Sequence, residues 1–387
     1  MITELPAFEL EAFFSRWGGA AKHSFTASEA QTMTIGELLE VAGMPLEALA
    51  EIDLGYRAAV GSPDLRREIA RTYDDLGEDE LVCFAGAQEG LFWTLADVLR
   101  DGGHAVVTVP NYQSLESVPL ATPAEVSGLP LWRGTGSDLR WELDLDRLQS
   151  LLRADTKVVA VNFPNNPTGY LPDEATFRAL VRMCDERGIR LVSDEVYRGV
   201  EIDPATTLPQ AADLSPLAIS INVMSKSFGL PGVRVGWVAS RDAELLGRLE
   251  RCKHYTSICN PGPSEFLATL ALRHAGPIHA RVRDLIRSNL ALAVDFFADF
   301  PELFEFAPPL GGSVCFPRYL GSEGVESFVQ RALEEASVLM LPASVYRSGL
   351  AATPDDRFRV GLGLAGVPDA IGALHAHLSR REAMTPA

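Results

Sequence analysis

The chain has 387 residues, of which 47% are hydrophobic and 22% charged, so it can bury a large core and its length favours two domains. Its 34 Lys and Arg residues face 52 Asp and Glu residues, a formal net charge of -18 that disfavours binding to nucleic acid or to an anionic membrane. The amino terminus lacks the basic start of a signal or transit peptide, and no segment has the ~18 apolar residues of a membrane span.

The cysteines are scattered, with no CxxC pair that would indicate a metal site or a disulfide framework. We expect no metal and a reducing, cytoplasmic location, with the thiols acting as small core hydrophobes. They are Cys83, Cys184, Cys252, Cys259 and Cys315.

The middle of the chain alternates short apolar runs with helical stretches. The run at 172–188 has helical spacing, carboxylates near its start and Gly188 after its end. Strand and helix in alternation predict an α/β fold with a mostly parallel sheet covered by helices on both faces. In such sheets ligands bind beyond the carboxyl ends of the strands. The predicted strands are 104–109, 156–163, 189–194, 218–224 and 233–239.

Near residue 276 the pattern changes to a long predicted helix, 280–300, followed by short apolar runs that end with 338–343. This pattern indicates a smaller α+β unit at the carboxyl end. We therefore predict an amino-terminal arm that packs with the small domain, a large domain and the small domain itself, at residues 1–45, 46–275 and 276–387. G-x-G-x-x-G after a strand and G-x-x-x-x-G-K-[ST] are both absent, so the usual nucleotide motifs are missing.

Lys226 differs in context from the other three lysines. Lys157 opens a strand and Lys253 lies in a charged helix, so both are predicted to be solvated. Lys226 follows the apolar run AISINVM and precedes FGLPG, which is too rich in Gly and Pro to continue a strand. Burial there would lower its pKa and make the amine a competent nucleophile. The alternative is a lysine that points to solvent from a strand end.

Three further polar side chains follow predicted strands. Asn166 stands in the turn of VNFPNNPTGY, and Asp194 and Tyr197 lie three residues apart in LVSDEVYRGV. A single Asp in such a place is usually a turn or cap residue. An amide, a carboxylate, a phenol and the amine of Lys226 on one sheet edge instead predict a site.

The motifs NNPTG, SDEVY and SKSFGLPGVRVG, in this order, resemble the fold-type I pyridoxal-phosphate enzymes of the class I/II aminotransferase family. The resemblance covers nearly the whole chain. It implies that Lys226 forms a Schiff base with pyridoxal 5'-phosphate and moves the α-proton of an amino acid substrate, with a 2-oxo acid as acceptor. It also implies that Asp194 pairs with the pyridine nitrogen, and that Asn166 and Tyr197 hydrogen-bond the 3-oxygen of the ring.

The phosphate is expected where FAGAQEG turns from a strand into a helix, because free N–H groups at a helix start bind anions. The resemblance places it on Gly86, Ala87 and Gln88, with Arg234 as a charged donor. Ser or Thr usually stands three residues before the lysine in this family, and this chain has Val223 there; Ser225 is a candidate replacement.

Three more residues receive roles from the resemblance. Tyr112 in VPNYQS would stack on the ring, and Tyr56 would reach the phosphate of a partner subunit, which implies a homodimer with shared sites. Arg359 would bind the substrate carboxylate together with Asn166. Arg357 lies on the opposite face if its segment is a strand.

The reaction stays open at this stage. Transamination is the first hypothesis. The second is a lyase or cyclase acting on a hydroxylated arginine, because the arm at 17–43, WGGAAKHSFTASEAQTMTIGELLEVAG, resembles that of cyclases of the capreomycidine-synthase type. An acidic pocket for a guanidinium would need a carboxylate such as Glu29, Glu37 or Glu89. An effector-sensing domain would need a helix-turn-helix module, for which residues 1–45 are too short and too acidic.

Overall fold

The computed structural model describes residues 4–384 of the chain. Its strands, in chain order, are β1 His23–Ser24, β2 Leu81–Phe84, β3 His104–Val109, β4 Glu125–Pro130, β5 Trp132–Arg133, β6 Arg140–Trp141, β7 Thr156–Asn162, β8 Arg190–Asp194, β9 Ala218–Val223, β10 Gly236–Ala239, β11 Phe304–Glu305, β12 Val314–Cys315, β13 Arg318–Tyr319, β14 Val338–Leu339, β15 Leu341–Pro342 and β16 Phe358–Gly361.

The α-helices of the same residues are α1 Glu9–Trp17, α2 Ile35–Val41, α3 Pro63–Ala70, α4 Ala87–Val98, α5 Ser114–Leu120, α6 Leu145–Leu151, α7 Glu174–Asp185, α8 Ala211–Leu214, α9 Ala243–His254, α10 Gly262–Arg273, α11 Ala275–Asp299, α12 Val325–Ala336 and α13 Val367–Met384. α7 begins where the carboxylate of Asp173 accepts the N–H of Thr176, and Gly188 follows its end at φ 66°. The sequence pattern therefore located this helix to within a few residues.

A seven-stranded sheet, in the order β2-β10-β9-β8-β7-β3-β4, forms the centre of the protein. Its strands run parallel except β10, which is antiparallel to both β2 and β9. This confirms the predicted α/β fold with a mostly parallel sheet. Because β10 pairs with β9 in the opposite direction, the segment 224–235 between them turns back at the carboxyl edge of the sheet.

Apolar side chains on both faces of the sheet pack under helices. One face buries Leu91 and Leu95 of α4 with Leu249 of α9, and the other buries Phe177 and Leu180 of α7. Each such side chain contributes about 1.5–3 kcal/mol when fully buried. The two covered faces leave the ends of the strands as the place where polar side chains can meet a ligand.

The carboxyl-terminal part is built on α11, α12 and α13 with the small sheet β12-β16-β15, around a cluster of phenylalanines. The arm contacts both parts of the protein. His23 and Ser24 of β1 pair with β14, whereas Leu38 of α2 packs with Leu65 and Ile69 of α3. Residues 26–29 thus run between the two parts, across the carboxyl edge of the large sheet.

All five cysteines are unpaired. Cys83, Cys184 and Cys315 are buried as predicted, but Cys252 and Cys259 are partly exposed, so for these two the expectation of a core position was wrong. Within residues 4–384, none of the helices combines the length and apolarity needed to cross a membrane.

Candidate active site

A cavity of about 430 Å³ opens at the carboxyl edge of the large sheet. It lies where β7, β8 and β9 end, beside the start of α4, and the arm forms its remaining wall. Its lining includes most of the predicted site residues, namely Ala87, Gln88, Tyr112, Asn166, Asp194, Tyr197, Ser225, Lys226 and Arg234. The convergence expected from the separate motifs is therefore present in the structure.

Lys226 lies in the turn that follows β9. The turn closes because Gly229, at φ 65°, donates its N–H to the carbonyl of Lys226 at 3.1 Å. Nζ of Lys226 donates to Oγ of Ser28 at 2.9 Å. Burial lowers the pKa of Lys226 to about 8, against the opposing effects of Glu29 and Asp194. The amine is therefore accessible in its neutral form near physiological pH.

Asp194 ends β8 with its carboxylate in the same cavity. One carboxylate oxygen accepts the N–H of Val196 at 3.2 Å, and the side chain of Asn162 holds the Asp194 carbonyl at 3.0 Å. Burial raises the pKa of Asp194 to about 7, although the Val196 N–H and Lys226 favour the ionised form. A cation placed on this carboxylate would relieve the cost of its burial.

Asn166 connects the cavity to a buried arginine. Arg359 is 0% exposed and donates from Nη1 to Oδ1 of Asn166 at 3.1 Å and to the hydroxyl of Tyr346 at 2.6 Å. Its Nη2 donates to the carbonyl of Thr26 at 2.7 Å, and its Nε has no hydrogen-bond partner. Arg359 therefore lies behind Asn166 rather than in the cavity wall, and Tyr346 is a contact that the sequence motifs did not indicate.

Arg357 lies on the other side of β16, as the strand period predicted. It donates to the carbonyl of Phe316 at 3.1 Å, and its guanidinium lies 5.2 Å from the ring centroid of Trp141.

The start of α4 faces Arg234. Gly86 takes φ 98°, and a Cβ on it would lie 2.5 Å from Nη2 of Arg234. A Cβ on Gly236 would lie 2.5 Å from the backbone nitrogen of Ala87. The first N–H groups of a helix have no partner within it. The two glycines thus allow the guanidinium of Arg234 and strand β10 to approach the start of α4 closely, which places a charged donor beside these N–H groups.

Tyr112 faces the cavity between the arm and α4. Its ring centroid lies 5.4 Å from that of Phe8, just before α1. The neighbouring Gln113 accepts the N–H of Glu9 at 2.8 Å and donates to the carbonyl of Ala7 at 2.7 Å. α1 is thus anchored beside the ring that the sequence predicted to stack on the cofactor.

Sequence reasoning missed most of the arm's contribution. Leu10, Glu11 and Phe14 of α1 line the cavity together with Ser28 and Glu29. Besides its hydroxyl contact with Lys226, Ser28 accepts at its carbonyl the hydroxyl of Tyr197 at 3.3 Å. The amphipathic spacing of 9–17 could have suggested a covering helix, but only the folded chain shows what it covers.

Two of the three acidic candidates lie elsewhere. Glu37 forms a capping box with Thr34 at the start of α2, and Glu89 accepts the N–H of Ala85 at 2.7 Å and the hydroxyl of Ser257 at 3.0 Å. Neither lines the cavity, so of these three candidates only Glu29 does.

Two further predicted ligands of the cofactor, Ser225 and Tyr56, have different surroundings. Val223, at the position of the missing hydroxyl, lines the cavity together with Ser225. Tyr56 is 87% exposed and lies outside the cavity of its own chain.

Lys253 is not solvated, and this prediction was wrong. It is 0% exposed, with Nζ donating to the carbonyl of Cys83 at 2.5 Å and to Oδ1 of Asn260 at 2.6 Å. The charged appearance of its helix concealed this because Glu244, Arg251 and His254 of α9 are exposed. Across residues 4–384, no group of three or more potential metal ligands is assembled.

A family model and many curated relatives match this chain. The model for aminotransferase class I and II matches residues 41–370. Capreomycidine synthase from Streptomyces vinaceus is 28% identical over 97% of this chain and 96% of that protein. The arginine–pyruvate transaminase of Pseudomonas aeruginosa is 28% identical over 84% of this chain and 81% of that protein.

Solved structures agree with this match. A PLP-dependent aminotransferase from Streptococcus suis has a TM-score of 0.90 at 26% identity and covers 98% of this chain and 99% of that chain. A PLP-dependent cyclase has a TM-score of 0.87 at 27% identity, with 98% of each chain covered. The chain belongs to the class I and II aminotransferase family, and it is a fold-type I enzyme whose cofactor is pyridoxal 5'-phosphate.

The described residues fit this cofactor. A buried carboxylate, Asp194, and an amine of lowered pKa, Lys226, share one cavity. The start of α4, which Arg234 approaches at Gly86, brings together donors suited to a phosphate.

The lowered pKa of Lys226 predicts a pH profile. In the protein freed of cofactor, acetylation of Lys226 by acetic anhydride should follow a curve with its midpoint near pH 8, because only the neutral amine reacts. The unfolded chain, with the ordinary lysine pKa of ~10.4, serves as control. Peptide mass spectrometry measures both curves, and coincident midpoints would contradict the proposed burial of the amine.

Proposed function

We propose that the protein is an aminotransferase that moves the amino group of an L-amino acid with a guanidine-type side chain to a 2-oxo acid. One observation carries this proposal: the cavity that holds Lys226 and Asp194 is also lined by two further acids, Glu11 and Glu29. The first pair suits the chemistry of the family, and the second pair suits a cationic side chain.

Five residues would hold the ring of the cofactor. Lys226 would be the residue to which the cofactor is joined, and Asp194 would pair with the pyridine nitrogen. Asn166 and Tyr197 would hydrogen-bond the 3-oxygen, with Tyr112 against the face of the ring. When bound, pyridoxal phosphate withdraws electrons from the α-carbon of an amino acid. The ionised form of Asp194 maintains the charge that this requires.

The phosphate would lie at the start of α4. Gly86, Ala87 and Gln88 supply the backbone and side-chain donors there, and Arg234 supplies a guanidinium. Ser225 lines the same cavity and carries a hydroxyl. We propose that it replaces the hydroxyl that is absent at Val223.

Lys226 would transfer the proton of the α-carbon. Its lowered pKa keeps a fraction of the amine neutral at pH 7 and most of it neutral above pH 8. Arg359 would bind the α-carboxylate, for which its planar guanidinium is well suited. Nη1 of Arg359 donates to Asn166 and Tyr346 in this structure. The substrate carboxylate would join these polar groups around the guanidinium.

Glu11 and Glu29 distinguish this cavity from a neutral one. Both act on the charge of Lys226 from the arm side. Two carboxylates in one cavity favour a planar cation, which can donate hydrogen bonds to both of them. A relative whose name specifies arginine as substrate supports this choice.

A second candidate function is a lyase or cyclase that acts on a hydroxylated arginine-like amino acid. It is favoured by the hydroxyl of Ser28, which contacts Nζ of Lys226 at 2.9 Å and could pass a proton to a departing group at the β-carbon. The similarity to capreomycidine synthase extends over 97% of this chain, the arm included.

The two reactions predict different product counts. Purified enzyme given single amino acids without a 2-oxo acid, arginine and hydroxyarginine among them, should release about one 2-oxo acid per site and stop, because a transaminase converts its cofactor to the amine form. Mass spectrometry counts the products. Many turnovers without acceptor would replace the aminotransferase proposal by the cyclase, and no reaction with any guanidine compound would contradict the proposed substrate class.

The acidic pair predicts a loss of selectivity. Glu29→Gln should lower the ratio of kcat/KM between the guanidine substrate and its neutral ureido counterpart about tenfold, the range expected for one charged hydrogen bond. Glu11→Gln should act in the same direction. Glu40→Gln, an exposed acid of α2, is the matched control. An unchanged ratio in both arm variants would show that the acids do not recognise the side chain.

We propose a homodimer in which Tyr56 completes the site of the partner subunit. Tyr56 and Tyr255 are 87% and 90% exposed, and Ile258 is half exposed in a left-handed conformation at φ 64°, which a β-branched residue rarely adopts. Thr256 and Ser257, which lie between Tyr255 and Ile258 in the chain, contact Glu89 of α4. The exposed side chains of Tyr255 and Ile258 therefore lie near the start of α4, where a second copy could reach the phosphate.

Mixing two defective variants tests the shared site. Lys226→Ala and Tyr56→Ala should each have low activity, and subunits exchanged at equal amounts should recover about a quarter of the native activity, because each mixed dimer has one intact site. No recovery, or a native protein that sediments as an active monomer, would contradict the proposal.

The unpaired cysteines support the cytoplasmic location predicted from the sequence, which cell fractionation would test.

A further inference from the structure

A buried lysine lies behind the turn between β2 and α4. Lys253 is close to the end of α9, and its ammonium reaches the carbonyl of Cys83 at 2.5 Å and Oδ1 of Asn260 at 2.6 Å. None of the roles assigned above uses it. A fully buried lysine is rare because desolvating its charge is costly, so its position needs an explanation.

Asn260 extends this contact to both sides of the proposed phosphate site. Its Nδ2 donates to the carbonyl of Phe84 at 2.8 Å and to the carbonyl of Arg234 at 3.2 Å. Phe84 is the last residue of β2, two residues before Gly86. Arg234 has the left-handed φ of 49°, which is uncommon for a residue other than glycine. One side chain therefore holds the turn before α4 and the strained backbone of the arginine together.

The charge of Lys253 has only neutral oxygens as hydrogen-bond partners. Among the residues that the structure describes, no carboxylate forms an ion pair with it. Burial lowers its pKa, while Glu89 and Glu265 oppose this from beyond ion-pair distance. A buried cation without a paired acid is stabilised by a nearby anion, and the turn that it supports is the one proposed to bind a phosphate.

We infer that Lys253 and Asn260 are positioning residues for the cofactor phosphate, with Asn260 fixing the turn and the backbone of Arg234 and Lys253 supplying a buried positive charge behind them. The inference rests on the phosphate placement proposed above. It predicts an effect confined to ligands that carry a phosphate.

Pyridoxal provides the required comparison because it has the ring and aldehyde of the cofactor but no phosphate. Lys253→Met removes the charge and keeps much of the side-chain volume. Cofactor-free enzyme is titrated with pyridoxal phosphate and with pyridoxal, and absorbance reports both dissociation constants. We expect Lys253→Met to weaken pyridoxal phosphate binding about tenfold or more and to leave pyridoxal binding unchanged. Loss of a residue that supports a metal ligand has an effect of this size at metal sites. Lys157→Met, at a partly exposed lysine, should change neither.

Two further variants make the result decisive. Arg234→Met should show the same selective loss of pyridoxal phosphate binding if the phosphate lies where we propose. If Arg234→Met shows no selective loss, the proposed position of the phosphate is wrong. If Arg234→Met is selective but Lys253→Met weakens both ligands equally, or neither, Lys253 has only a structural role and the inference fails. Should Lys253→Met not fold, as thermal unfolding would reveal, Lys253→Gln keeps a hydrogen-bond donor without the charge and is judged by the same ratio.

Discussion

The desolvation of two oppositely charged groups in one cavity governs this structure. Burial lowers the pKa of Lys226 to about 8 and raises that of Asp194 to about 7. Both pKa values therefore lie near neutral pH, where each group can gain or lose its proton. The same two side chains in water would have pKa values far from these. Strands β8 and β9 deliver the two residues to the same edge, and the arm lines the cavity above them.

The arm connects this charge balance to substrate choice. Its acids, Glu11 and Glu29, add negative charge beside the amine, while the hydroxyl of Ser28 contacts Lys226 directly. A substrate with a cationic side chain would neutralise these acids as it enters. The same segment would therefore enclose the reaction and select the substrate class we propose, and it places the hydroxyl of Ser28 beside the lysine.

Buried polar side chains behind the cavity hold its walls in place. Arg359 is held by Asn166, Tyr346 and the carbonyl of Thr26, and the turn before α4 is held by Lys253 and Asn260. Such buried networks fix geometry because an unsatisfied polar group would be costly at each alternative position. In this protein they connect the large sheet, the arm and β16 into one framework around the cofactor.

The sequence by itself determined the fold class, the main strands and the residues at the sheet edge, because burial requires apolar runs in β7, β8 and β9 and their ends follow directly in the chain. Asn166, Asp194 and Lys226 could therefore be found as local signals. The tertiary structure alone decided that Glu11, rather than Glu37 or Glu89, joins Glu29 at the cavity, and that Lys253 is buried. These outcomes depend on how distant segments pack, and a charged side chain in a helix has no local signal that distinguishes a solvated position from a buried, hydrogen-bonded one.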